Sequence, residues 1–215
     1  MINTQSSSIY RLLTILVLAM FFLSACTTNK AIPPIESVHP HQERAQLLQQ
    51  LSQWQITGKI AFIQSNKRER ANFHWQINEE TQQQNLNLTS YLGINVLQLS
   101  SSNGHHKVKV DGKTYQGEDL TALIYQLTGF TLPTKALNFW LKGLPYLDSD
   151  QISYHPETQL PEYLLSSLET NTNNHEAWRI HYGNYQAIKQ FILAKKLTIS
   201  KGDLTIKLVI DKWRV

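Results

Sequence analysis

From Trp54 onward apolar and polar residues alternate with a period of two. Trp54, Ile56, Gly58, Ile60 and Phe62 share one phase, and Gln55, Thr57 and Lys59 occupy the other. The next run sets Ala71, Phe73, Trp75 and Ile77 against Arg70, Asn72, His74 and Gln76. Successive side chains of a strand point to opposite faces, so each run predicts a strand with one buried face. Shorter runs predict strands over 85–90, 94–100, 107–110 and 113–115, punctuated by the turn pairs Asn103-Gly104 and Asp111-Gly112. After residue 150 the pattern returns over 151–154, 163–169, 177–182, 196–200 and 204–211. The last of these turns Leu204, Ile206, Leu208 and Ile210 to one side.

Three segments change to helical spacing. Ala45, Leu48 and Leu51 predict a short amphipathic helix over 42–53. Asp119 caps a segment with Leu120, Leu123, Ile124 and Leu127 on one face, closed by Gly129. A third helix runs over 134–142, with Leu137, Trp140 and Leu141 apolar, and ends before Gly143 and Pro145. About ten one-faced strands with two short apolar helices in their midst predict a strongly curved antiparallel sheet covered by helices. Such curling would gather Trp54, Phe62, Phe73, Trp75, Trp140 and Trp178 on the inner side. These aromatics serve as plain core, or as a ligand surface if the interior is incompletely filled.

The N-terminus follows a different pattern. A polar, Arg11-bearing start precedes the apolar run 12–23, about the length of a secretory h-region, and Leu23-Ser24-Ala25-Cys26 follows. This reads as a lipobox: residues 1–25 a signal peptide, and Cys26, the sole cysteine, the lipidated first residue of the mature chain. Thr27 stands where an Asp would mark inner-membrane retention, so the outer membrane is expected, with the body facing the periplasm. Residues 26–37, with Pro33-Pro34 among polar residues, read as a tether. About ten extended residues reach at most roughly 35 Å, which keeps the body, 38–215, close to its own bilayer.

Removing the signal peptide takes away one basic residue and leaves a formal charge of +3. That mild excess, interleaved as in Lys67-Arg68-Glu69-Arg70, points away from nucleic acid and reads as solvated faces. The chain has no GxxxxGK[ST], GxSxG, CxxC or HExxH pattern, so it carries no common nucleotide, nucleophile or zinc signature. His39 with His41 and His105 with His106 fall in loop contexts, and Asp148 and Asp150 fall where turn formation accounts for them. No metal, cofactor or catalytic site is expected.

The combination Leu127-Thr128-Gly129, Leu132-Pro133, Leu137, Trp140 and Gly143-Leu144-Pro145 resembles the outer-membrane lipoprotein receptor family LolB. Trp54 with Gly58-Lys59-Ile60-Ala61-Phe62, the stretch from Trp178 to Tyr182 with Tyr185, and Leu208 to Ile210 before Trp213 agree in order. The resemblance implies an unclosed antiparallel β-barrel with a helical lid over a hydrophobic cavity. It also implies a monomer that receives acylated lipoproteins from the periplasmic carrier LolA and incorporates them into outer-membrane phospholipid. In that family a protruding loop between two strands carries an exposed leucine after a proline. Leu92 matches the leucine, Tyr91 stands in place of the proline, and Gly93 follows, which makes these three the expected membrane-insertion loop. From the residues alone two other readings stay open: a lipid-anchored module for another hydrophobic ligand, and a packed structural envelope lipoprotein.

Overall fold

A computed structural model of the chain describes residues 40–129, 131–168 and 176–215. Cys26, the signal segment 1–25, the tether 26–37, residues 38 and 39, and Glu169 at the end of the expected strand 163–169 lie outside the described residues.

The polypeptide enters through helix α1 (Pro40–Gln49). It then forms β1 (Gln53–Gln64), β2 (Lys67–Asn78), β3 (Gln83–Thr89), β4 (Asn95–Ser102), β5 (His105–Val110) and β6 (Lys113–Gly117). Helices α2 (Leu120–Thr128) and α3 (Thr134–Lys142) follow. Strands β7 (Gln151–Tyr154), β8 (Pro161–Ser166), β9 (Trp178–Ile188), β10 (Phe191–Lys201) and β11 (Leu204–Arg214) complete the chain.

All eleven strands join one sheet in the order β6-β5-β4-β3-β2-β1-β11-β10-β9-β8-β7. Every pairing is antiparallel, and β6 and β7 remain as free edges, so the barrel is not closed. The fold class expected from the pattern is the one observed. The N-terminal meander meets the C-terminal one at β1 and β11, where Gly58 opposes Ile210 and the register slips between Thr57 and Gly58. That slip is a bulge that bends the strand. A Cβ at position 58 would overlap the Val209 carbonyl oxygen and lie 3.0 Å from the Ile210 Cα. Glycine is what lets the two halves approach.

The inward phase predicted for β1, β2 and β11 is the buried one: Ile56, Phe73, Ile206 and Ile210 are all buried, and Trp213 closes the row. Trp54 packs at the centre of an aromatic group, 5.8 Å from Trp75 and 5.5 Å from Trp213 between ring centroids. Trp213 Nε1 donates to Ala194 O at 3.0 Å, which joins this group to β10. Both central helices begin and end as expected. The Asp119 carboxylate accepts from Thr121 N and Ala122 N at 2.9 and 3.1 Å, and Gly129 and Gly143 cap the C-termini.

Several boundaries differ from expectation: β9 runs to Ile188 rather than ending at 182, β8 spans Pro161–Ser166 rather than 163–169, and β3, β4 and β5 shift by one or two residues at their ends. Helix α1 stops at Gln49 rather than residue 53, because Gln50 N and Leu51 N bond three residues back, to Leu47 O and Leu48 O, in a tighter turn. Leu51 keeps its helical spacing and is buried, but it lies outside the helix. Strand β10 begins at Phe191 rather than near 196. Lys195 takes the inward phase between buried Leu193 and Leu197, which breaks the alternation that marks a strand in sequence.

Candidate functional site

The concave side of the sheet and the two central helices enclose an apolar cavity of about 80 Å³. Its floor comes from alternate residues of the central strands, chiefly Ile60, Phe62, Phe73, Trp75, Ile206 and Leu208. The roof is Leu120 and Ile124 of α2 with Leu137 and Leu141 of α3, and Leu132 lies between the helices. These roof residues recur at helical spacing, so each helix turns one apolar stripe down onto the sheet. Of the six aromatics singled out from sequence, Phe62, Phe73 and Trp75 line this space. Trp54, Trp140 and Trp178 do not: they are packed in the core, the last two against each other at 5.8 Å. Leu132, Leu137 and Ile199 line it without having been named as cavity candidates; helix stripe and strand phase point Leu137 and Ile199 inward, Leu132 enters from the loop between the helices, and only the sheet's curvature brings them together.

The two helices of the lid are held unequally. At the end of α3 the Lys142 ammonium is buried and donates to Glu79 Oε1 at 2.9 Å and to Leu51 O at 3.3 Å. From α1, Arg44 reaches the same turn. Its guanidinium donates to Lys142 O at 2.9 Å, Gly143 O at 3.3 Å and Ile192 O of β10 at 3.2 Å. Burial pulls the Arg44 pKa below its ordinary value, with nearby Tyr185, Tyr182 and Tyr154 opposing that shift. Neither Arg44 nor Lys142 was singled out from sequence, since a basic residue on a short helix reads as solvated. Helix α2 rests instead on a small apolar cluster, Leu120 and Leu123 against Leu99 and Val108. One contact with α3 brings the Thr121 and Thr134 hydroxyls within 3.4 Å. Among the described residues the buried polar ties of the lid gather at the far end of α3, and α2 is seated by apolar packing.

The loop between β3 and β4 leaves the sheet at the end where β1 turns into β2. Tyr91 is 95% exposed, Leu92 80% and Ile94 64%, an unusual display of apolar surface. The loop is nonetheless closed on itself: Ser90 N donates to Ile94 O at 2.8 Å, Gly93 N to Ser90 O at 2.9 Å, and Ile94 N to Ser90 Oγ at 3.3 Å. Gly93 takes φ +79° to complete it. Five residues, Ser90 to Ile94, thus present Tyr91 and Leu92 outward on a hydrogen-bonded base, without a proline.

The remaining chemistry-bearing residues have local roles. Asp150 Oδ2 accepts from Tyr146 N and Leu147 N at 2.8 and 3.1 Å, the turn expected of it. His106 Nδ1 lies 2.7 Å from Ser101 Oγ, and burial lowers its pKa. His41 stacks on Tyr154 at 4.8 Å. Among the described residues no three His, Cys, Asp or Glu side chains converge as a metal site.

A sheet wrapped under two helices around apolar space does not by itself fix a family; the sequence does. The family model described as "Outer membrane lipoprotein LolB" matches residues 52–213, from just before β1 to the penultimate residue of β11. The chain belongs to the LolB family. It is 34% identical over 195 residues to the outer-membrane lipoprotein LolB of Aeromonas salmonicida, covering 90% of this chain and 92% of that one. To the LolB of Aeromonas hydrophila it is 33% identical over 197 residues, covering 91% and 93%. Among solved structures, a DUF1329 family protein from Desulfovibrio piger is similar with a TM-score of 0.52 at 7% identity, over 85% of this chain and 93% of that one, a likeness of fold alone. As a LolB-family member the protein is an outer-membrane lipoprotein that serves lipoprotein localization and is not an enzyme.

Proposed function

We propose that this protein accepts acylated lipoproteins from the periplasmic carrier LolA, holds their acyl chains between sheet and lid, and releases them into the outer membrane. The observation that carries this reading is the apolar cavity, floored by Phe62, Phe73 and Trp75 and roofed by two short helices. Cys26 carries the acyl anchor, residues 1–25 are removed as a signal peptide, and 26–37 tether the body, 38–215, near the bilayer. Two or more acyl chains give stable anchoring where one gives only marginal binding.

The cavity's size dictates how it works. At about 80 Å³ it is smaller than the roughly 150 Å³ space that accommodates a benzene molecule, so the closed form holds no whole acyl chain. Cargo entry requires the lid to lift, and the unequal fastening makes α2 the part that lifts, with the end of α3 as the fixed point. Exposing a chain of ~16 carbons to water would cost on the order of 12 kcal/mol, so the cargo passes directly from one apolar site to another. Transfer then runs downhill, with acyl affinity greater than the carrier's and less than the bilayer's.

The test is to mix LolA loaded with a lipoprotein and this protein, and to follow which of the two holds the cargo. Cargo moving to this protein supports the reading; cargo staying on the carrier overturns it. A fluorescent fatty acid that fails to bind would favour a permanently packed interior instead.

A further inference from the structure

Strand alternation separates charges that look mixed in sequence. In Lys67-Arg68-Glu69-Arg70 the odd-numbered residues share the phase of inward Phe73, with Lys67 Nζ paired to Glu69 at 2.8 Å, and the arginines take the outward phase. The pairing register sets Arg70 opposite Ala61 and Ala61 opposite Lys207, one strand further on. The neighbouring row runs Asn72, Lys59, Val209 and Lys196 across β2, β1, β11 and β10. Lys59, Arg70, Lys196, Lys207 and Lys212 are all exposed on this convex face, and among the described residues none of them forms a salt bridge. Across these four strands the carboxylates are Glu69, on the other phase, and Asp211 at the bulge. The patch adjoins the apolar loop: outward-phase Asn72, next to Lys59, donates from Nδ2 to Ser90 O at 3.5 Å, so the loop's base rests on this side.

We infer that the convex face of β1, β2, β10 and β11 docks on a bilayer surface rich in anionic phospholipid headgroups. The argument is charge complementarity together with continuity with the loop, and it rests on the reading of Tyr91–Leu92 as membrane-directed. Aromatic and aliphatic tips enter the interface while a basic face beside them meets phosphate, the combination by which interfacial elements bind anionic membranes. Docking there would leave the lid and cavity, on the opposite side of the sheet, open to an incoming carrier, and direct delivery would follow when the body pivots on the Tyr91–Leu92 loop to bring the cavity to the bilayer.

Residues 40–215 hold the whole sheet and its core, so the mature chain carrying Cys26→Ala keeps the folded body without an acyl anchor. Its flotation is measured with vesicles of phosphatidylcholine alone and of phosphatidylcholine mixed with phosphatidylglycerol. The protein is expected to float with the anionic vesicles, to float far less with the neutral ones, and to lose the difference at 1 M salt, where the Debye length is about 3 Å. Each basic side chain at such a surface contributes roughly fivefold, so Lys59→Gln with Lys207→Gln should weaken anionic binding roughly 25-fold and leave neutral binding unchanged. Absence of parent binding, equal binding to both vesicles, or full binding by the double variant overturns the proposal. A double variant that floats normally but no longer takes cargo from the carrier also overturns it, and assigns the face to an acidic protein surface. Leu92→Glu separates this proposal from the loop reading. Loss of binding by that variant alone leaves the loop and removes the basic face, whereas loss by the double variant alone does the reverse.

Discussion

Arg44 Nη2 donates to the main-chain carbonyl of Lys142 over 2.9 Å and so ties the entry helix to the last turn of the lid. The same guanidinium reaches Gly143 O and Ile192 O, so one side chain satisfies three carbonyls at the junction of α1, α3 and β10. Arg44→Met keeps the apolar stem and strips all three bonds. Acceptors left without donors cost roughly 1–3 kcal/mol each, and these three are only partly buried, so a loss of about 3 kcal/mol in urea denaturation, the lower end of that range, is expected. Arg44→Lys should lie between, since an ammonium is a point donor that cannot span the fork. A loss below about 1 kcal/mol would mean that water replaces the guanidinium and that the junction is not a bolt.

Gly58 and Gly93 should respond to the same substitution by different amounts. An alanine at 58 drives its Cβ into Val209 O across the β1–β11 seam, and all three close contacts there are backbone that cannot step aside. At 93 nothing lies within 4 Å, and the penalty is the φ of +79° alone. Gly58→Ala should therefore lower stability by at least about 3 kcal/mol and Gly93→Ala by about 1. Equal effects in thermal or chemical denaturation would show that the seam can shift to admit a methyl group.

The parts legible in sequence are those governed by short-range periodicity. The inward phases of β1, β2 and β11 could be read directly, as could Asp119 and the glycines that bound the two lid helices, because strand alternation and capping are local rules. Strand β10 was half hidden because Lys195 interrupts its apolar phase. The cavity lining was not separable from the core: Phe73 and Trp54 have the same pattern, and only the curl of the sheet places one under the lid and the other in a packed aromatic group. Arg44 and Lys142 were invisible for a related reason. Their partners, Ile192, Glu79 and Leu51, are far away along the chain, and nothing local marks a basic residue as buried.

Tyr182 is expected to set part of the protein's alkaline limit. Its ring is buried and its hydroxyl has no partner in the protein. Burial holds its pKa well above the ordinary value of 10.0; Tyr185 pushes the same way, and Arg44 opposes. Tyr185 is raised as well, mainly by burial. In the unfolded chain both phenols ionise near pH 10 while the native ones keep their protons, so the native state binds more protons above that pH. Stability from these groups is complete below pH 10 and falls as pH rises toward the raised native values. Tyr182→Phe should leave stability equal or slightly higher at neutral pH and flatten the alkaline decline. Urea midpoints from about pH 8 to about pH 11 measure both effects, and an unchanged slope would remove Tyr182 as the cause.

Filling the cavity tests whether its volume matters. Leu137 hangs from α3 into the apolar space, and Leu137→Trp would occupy much of the 80 Å³. Overpacking should cost no more than about 1–3 kcal/mol because empty space is available. Losing contact with about two methylenes of a bound chain corresponds to roughly tenfold weaker binding of a fluorescent fatty acid. Unchanged binding by a folded Leu137→Trp would place the acyl site elsewhere.

Leu92→Glu is expected to separate acceptance from delivery. The loop tip lies outside the cavity, 80% exposed on a base closed by Ser90, Gly93 and Ile94, so a charged side chain there disturbs neither the core nor the lid. Stability should stay within about 0.5 kcal/mol of the parent, as for surface changes generally. Burying a leucine in lipid contributes about 1.5–3 kcal/mol, enough to aim the body at the bilayer but too little to anchor it. A glutamate removes that gain and adds the cost of bringing a carboxylate to the hydrocarbon edge. The variant should take lipoprotein from the carrier at the parent rate and fail to insert it, so that cargo accumulates as a complex resolvable by gel filtration. Normal insertion would exclude Leu92 from the delivery step, and a simultaneous loss of acceptance would mean that the loop belongs to the carrier contact rather than to the membrane.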